Sequence, residues 1–207
     1  ECGNFNRVRA LILIFRTFEN KPENKKIYCY EQTTSFYRSF CDKFGEKNEI
    51  IGSEFLGTDK IPGEITGGIR HEDAMNLSFN DNEFDYILSN DVFEHIPDIK
   101  KALSESYRCL KQGGKLIFHV PFYPKNSETV KRAEIRNGKI EYLKEKEYHG
   151  GFSASDENGC LVYYNFGFDL IDFIKKTGFS RAYAVAVADE RYANVDTEPV
   201  VIFVGEK

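Results

Sequence analysis

Apolar residues recur along this chain with two alternating periods. Between Asn6 and Phe18, the residues Val8, Leu11, Ile12 and Phe15 are spaced by threes and fours, which predicts an amphipathic helix. A polar stretch with Pro22 then leads into the short apolar run Ile27–Tyr30, the length of a buried parallel strand. Helical spacing returns over Thr34–Phe44, through Phe36, Tyr37, Phe40, Cys41 and Phe44, and Gly45 closes it. The alternation goes on with strands at Glu49–Ser53, Ile69–Glu72 and Phe84–Ser89, a Gly- and Pro-bearing connection at Gly57–Gly68, and a helix at Ile99–Leu110. The pair Gly113–Gly114 predicts a tight turn into a strand at Lys115–Pro121. Strands alternating with helices imply a parallel sheet covered on both faces.

The charged segment Glu128–Tyr148 breaks this rhythm. Asn137–Gly138 is a hairpin signal between Glu134–Arg136 and Lys139–Tyr142, so residues 125–159 are expected to form an insertion over one sheet edge. A helix at Phe168–Thr177 capped by Gly178 follows, then strands Ser180–Ala188 and Pro199–Val204 as a closing antiparallel pair. One domain over 1–207 is expected, with 1–20 as an N-terminal helical segment.

Composition narrows the function classes. Of 207 residues, 41% are hydrophobic and 29% charged, enough for a packed core and a solvated surface. No apolar run reaches the length of a membrane span, so no membrane partner is expected. The 28 Lys and Arg against 33 Asp and Glu give −5, which disfavours a nucleic-acid partner. Cys2, Cys29, Cys41, Cys109 and Cys160 are scattered and form no C-x-x-C pair, which points to thiols in a reducing compartment, the cytoplasm.

In a doubly wound sheet, ligands sit beyond the C-terminal ends of the strands, and four stretches lie there. Glu54 closes the second strand, where a carboxylate can accept both hydroxyls of a ribose or simply face solvent. Asp73, after the third, can accept an exocyclic amine or cap a turn. Ser89–Ile96 brings Asn90, Asp91, Glu94 and His95 to the mouth of the expected cleft, where His95 can act as a base or Glu94 and His95 can hold the loop. The glycines of Leu110–Leu116 have a structural role.

Taken together, Asp73–Ala74 with Leu77 and Phe79, then Asp81–Ile87, Asp91–Asp98 and Arg108–Gly114 resemble the central signature of class I S-adenosylmethionine-dependent methyltransferases. The match is to the methyltransferase type 11 group, whose pattern reads D-x-x-x-L-P-F, F-D, E-H and L-K-P-G-G, and it runs over residues 49–122. The resemblance implies a Rossmann-like, doubly wound, mostly parallel seven-stranded sheet of order 3-2-1-4-5-7-6. It implies S-adenosylmethionine as methyl donor, Glu54 on the ribose, Asp73 and Ala74 at the adenine, and Asn90 or Asp91 near the methionine part.

One departure stands out. The family has a glycine-rich loop, E/D-x-G-x-G-x-G, after its first strand, and this chain has the glycine-free run Tyr28–Phe36. There Glu31 can still meet the methionine amine, and Thr33 with Thr34 and Ser35 can replace backbone contacts. A narrower resemblance is to bacterial methyltransferase-like proteins with a glycine-poor first loop, an N-terminal C-x-x-C and R-x-R, a Y-H-G segment and an F-G-x-D helix. Here these are Cys2, Arg7 and Arg9, Tyr148–Gly150, and Phe166–Asp169. A single cysteine cannot hold zinc, so no metal is expected. His149, beside Gly150–Gly151, is the other candidate base, and Tyr123 is expected to line the substrate side.

These features point to methyl transfer onto an oxygen or nitrogen of a small-molecule or sugar-like acceptor. The alternative is a non-catalytic binding module of the same fold with a weakened cofactor site. A nicotinamide enzyme would need G-x-G-x-x-G after the first strand, and it is absent.

Overall fold

The computed structural model describes residues 5–150, 159–188 and 199–207. Helix α1 covers Asn6–Phe18 and is followed by strand β1 at Lys26–Cys29. Helix α2, Ser35–Phe44, begins where the Thr34 hydroxyl accepts the Tyr37 amide as an N-cap. Strands β2 (Glu49–Gly52) and β3 (Phe84–Asn90) precede α3 (Ile99–Cys109), which Asp98 caps by accepting the amides of Lys100 and Lys101. Strand β4 (Leu110–His119), helix α4 (Leu170–Thr177) and strands β5 (Arg181–Val187) and β6 (Val200–Glu206) complete the frame.

The strands form one sheet of order β5-β6-β4-β3-β1-β2. β1 pairs in parallel with β2 and β3, and β3 with β4, while β6 runs antiparallel to both β4 and β5. Successive residues of a strand point to opposite faces, and this divides the core. Ile27, Cys29, Leu88, Ile117 and Ile202 meet Leu11, Phe15, Phe36 and Phe40 of α1 and α2. Tyr28, Ile87, Leu116, Phe118 and Phe203 meet Ala102, Leu103, Leu170 and Ile174 of α3 and α4. Both faces are covered, as the apolar periodicity implied.

Two expectations are corrected. Among the described residues the sheet has six strands, not the expected seven. The third expected strand instead forms a small hairpin, with Ile69–Arg70 paired to Ile65–Thr66 across Gly67 and Gly68, both at positive φ. A single parallel bridge between Glu54 and His71, with the Leu56 amide donating to His71 Nδ1, joins this segment to the chain just past β2. The run Arg70–Asp73 is charged, so it lacks the apolar side chains a strand buried on both faces requires. Second, Gly113–Gly114 does not separate helix from strand. β4 starts at Leu110, and its pairing with β3 shifts from Phe84–Leu110 to Tyr86–Lys115, so the glycines bulge out within the strand. Gly113 takes φ 79°, and a Cβ on Gly114 would stand 2.8 Å from the Lys111 carbonyl oxygen.

The expected hairpin is present, Ala133–Arg136 against Lys139–Tyr142, turned by Asn137 and Gly138 at φ 50° and 73°. Further along, Tyr148–His149 pairs antiparallel with Cys160–Leu161. No described helix is long and apolar enough to cross a membrane. Cys29 and Cys109 are buried thiols, and Cys2 lies outside the described residues.

Phe15 fixes α1 to the sheet. It is fully buried and packs edge-on against Phe40, Phe44 and Tyr86, with ring centroids 5.1, 5.3 and 5.1 Å away. Phe15→Ala is expected to lower unfolding free energy by about 3–5 kcal/mol, read by urea denaturation. A loss below about 1 kcal/mol would show that α1 is not part of the cooperative core.

Candidate active site

Because β1, β2 and β3 run in parallel, their C-terminal ends emerge along one edge. Glu31 follows β1, Glu54 follows β2, and Asp91 follows β3. Burial of Glu31 holds its proton affinity well above the usual carboxylate range, and nearby Asp91 and Glu54 push it further.

The glycine-free loop is held in an unusual way. Glu54 Oε1 accepts the Gln32 amide at 2.9 Å, the Thr33 amide at 2.8 Å and the Thr33 hydroxyl at 2.7 Å. From the other side, Gln32 accepts the Arg70 amide and donates to the Gly68 carbonyl. None of residues 31–34 takes a positive φ, so the loop makes no use of the conformational freedom of glycine. A close approach is shifted to Gly52 instead, where a Cβ would meet the Tyr37 ring at 2.6 Å and the Glu31 carbonyl oxygen at 3.0 Å. Thr33 thus turns its polar groups to Glu54, and Glu54 keeps Oε2 clear of these bonds.

Asp73 accepts the Met75 amide at 2.8 Å through Oδ1, which is the turn-capping arrangement. Ala74 packs at the margin of the α3 side of the core. Asn90 donates its amide to Glu31 Oε1 at 3.0 Å, and its Oδ1 is buried with no hydrogen-bond partner among the described residues. Asp91 sits at φ 56°, and its carboxylate meets His119 Nδ1 at 2.6 Å and the Arg7 guanidinium. Burial would raise its pKa, but His119 and Arg7 prevail and hold it below the usual range. Both Asp91 oxygens are thus engaged, whereas Asn90 offers an open acceptor.

The expected bases come together. His95 lies on the turn Phe93–His95 after β3, and the strand Tyr148–His149 lays His149 over it, with ring centroids 5.2 Å apart and planes at 87°. Glu94 is fully buried between them, 3.6 Å from His95 Nε2 and 3.6 Å from His149 Nδ1. Glu94, ahead of the opposing effect of burial, raises the proton affinity of His149. Tyr123 is exposed, and Tyr163 and Tyr164 are packed. Sequence reasoning missed His119 and Glu147, because their partners are 28 and 2 residues away and only the fold closes the first gap.

The type 11 family model, a methyltransferase domain, matches residues 52–118. The demethylmenaquinone methyltransferase of Staphylococcus epidermidis is 32% identical over 91 residues, 41% of this chain and 38% of that protein. Phosphoethanolamine N-methyltransferase 2 of Caenorhabditis elegans is 49% identical over 45 residues, 22% of this chain and 10% of that protein. The matches thus span well under half the length of these curated relatives. In three dimensions, an S-adenosylmethionine-dependent methyltransferase from Mesorhizobium loti aligns over 100% of both chains at 13% identity, TM-score 0.61. A Haemonchus contortus phosphoethanolamine N-methyltransferase 2 in complex with S-adenosyl-L-methionine aligns over 96% of this chain and 52% of that one at 18% identity, TM-score 0.56. The fold is therefore shared with S-adenosylmethionine-dependent methyltransferases, and residues 52–118 are similar in sequence to the type 11 methyltransferase domain.

Because the folded state raises the pKa of Glu31, stability is fully present below the unfolded value of about 4.3 and is lost as pH rises toward the folded one. Glu31→Gln is expected to gain stability relative to the native chain between pH 5 and pH 8, measured by thermal melts. A difference that stays constant with pH would contradict a buried, proton-hungry Glu31.

Proposed function

We propose that this chain transfers a methyl group from S-adenosylmethionine to an oxygen or nitrogen of a small-molecule acceptor. The observation that carries this reading is the buried pair of acceptors at the end of β1 and β3: the Glu31 carboxylate, bonded to the Asn90 amide, and the unpartnered Asn90 Oδ1. Two such acceptors suit an ammonium group, which supplies the positive counter-charge that a buried Glu31 carboxylate needs. Glu54 Oε2 would accept the ribose hydroxyls, with Asp73 and Ala74 beside the adenine. Asp91, held by His119 and Arg7, would shape the mouth without touching the methionine part directly.

When bound, the cofactor supplies an electrophilic methyl group on a positively charged sulfur. The chain's own contribution is alignment, which is most of what in-line transfer requires. In this reading His95 and His149 serve with Glu94 at the acceptor end, and residues 125–159 are an insertion within a single domain. The relatives are named for small acceptors, a demethylmenaquinone and a phosphoethanolamine, and the net charge of −5 opposes a nucleic-acid acceptor.

The engagement of Glu54 Oε1 by the loop favours a second reading, a binding module with a weakened cofactor site. Calorimetric titration with S-adenosylmethionine and S-adenosylhomocysteine separates the two. Micromolar binding is expected, weakened roughly tenfold or more, about 1.4 kcal/mol, in Glu31→Gln. Absence of binding at millimolar cofactor would overturn methyl transfer in favour of the module.

A further inference from the structure

The trio at the acceptor end has a feature that methyl transfer does not use. Glu94 is fully buried, and both of its carboxylate oxygens lack a hydrogen-bond partner among the described residues. An ionised carboxylate in that state is costly unless a cation faces it. Facing it are the inner ring nitrogens His95 Nε2 and His149 Nδ1, each 3.6 Å from Oε1. That is too long for a hydrogen bond, since a shared proton would draw donor and acceptor to about 2.7–3.2 Å.

The outer nitrogens explain which way the rings are wired. His95 Nδ1 lies 2.8 Å from the Leu161 carbonyl oxygen, which can only accept, so Nδ1 carries a proton. His149 Nε2 lies 3.3 Å from a Glu147 carboxylate oxygen, likewise an acceptor. In the neutral rings, both inner nitrogens therefore turn lone pairs toward the buried carboxylate. Three electron-rich atoms converge, all within 4.8 Å of one another. Donors on a tetrahedral ion at 2.0–2.2 Å stand roughly 3.3–3.5 Å apart, close to the two 3.6 Å separations. Outer N–H groups tied to a carbonyl and a carboxylate are the usual support of metal-bound histidines.

We infer that Glu94, His95 and His149 form a binding site for a divalent transition-metal ion of the zinc type, with Leu161 and Glu147 orienting the two histidines. Two imidazoles and one carboxylate suit such an ion. Three protein donors leave a position for water or an acceptor oxygen, as in catalytic rather than structural sites. The ion takes both histidines out of base chemistry, in place of the role the sequence suggested for them. It also replaces the expectation of no metal, which rested on cysteines alone. The site stands on its own donors and does not depend on cofactor binding.

The test uses the full chain stripped of metal, titrated with zinc chloride by calorimetry and with cobalt chloride by visible absorption, without S-adenosylmethionine. One ion per chain is expected, with the intense d–d bands of low-coordinate cobalt. Glu94→Gln and His149→Ala are each expected to weaken binding at least tenfold. Glu147→Gln, which leaves all three donors in place, is expected to weaken it by about 10–100-fold. Thermal melts establish that each variant is folded, and His149, on a short partly exposed strand, is the safer substitution. No saturable binding, or equal affinity in folded His149→Ala, would overturn the site. So would binding that is lost in Cys160→Ser but kept in His149→Ala, which would place the ion on a thiolate.

Discussion

The architecture of the mouth depends on one carboxylate oxygen. Glu54 Oε1 gathers two backbone amides and a hydroxyl from the loop after β1, and so ties the end of the first strand to the end of the second. Gln32 is half-buried, so its amide must find an acceptor, and hydrogen bonds to a charged acceptor are the stronger kind. The loop has no glycine to let it wrap a ligand with a left-handed backbone. It takes no positive φ and is held by a side chain instead. Gly52 completes the arrangement, since only a residue without Cβ lets the Tyr37 ring and the Glu31 carbonyl close over β2.

From that constraint the edge divides into two regions of different chemistry. Near β1 and β3, Glu31 and Asn90 present acceptors that the protein itself leaves underused. Beside them Asp91 is already neutralised by His119 and Arg7, so α1 contributes a charge to the mouth as well as a face to the core. Beyond β3, Glu94 and the two histidines form a second electron-rich centre, positioned by the pairing of Tyr148–His149 with Cys160–Leu161. A cationic group suits each region: an ammonium in the first, a metal ion in the second.

Much of the frame was legible in the sequence because it is governed by local periodicity. The apolar stripe through Leu11 and Phe15 and the run around Ile87 each specify one surface, and the structure buries them there. The Asn137–Gly138 hairpin was legible because its turn demands positive φ at both residues. The third strand was not, because Ile69–Glu72 has the length of a strand but only one apolar residue to bury. Glu54, Asn90 and Asp91 were singled out from their places at expected strand ends, Asp73 from the end of a strand that does not form, and Glu31 from the loop that lacks the family's glycines. What each one touches was not legible, since the partners of Glu54 are 21 and 22 residues away and His149 approaches Glu94 across 55 residues of chain. No spacing rule encodes those distances.

Amide hydrogen exchange at Gln32 and Thr33 tests the central constraint most directly, with native chain and Glu54→Gln compared in the absence of ligand. If Glu54 holds the loop, both amides exchange slowly in the native chain. In the variant, whose neutral amide oxygen is the weaker acceptor, they exchange markedly faster, while amides in the centre of β3 stay unchanged. Equal exchange at Gln32 and Thr33 in the two proteins would contradict the role given to Glu54, and with it the explanation of how this loop does without glycine.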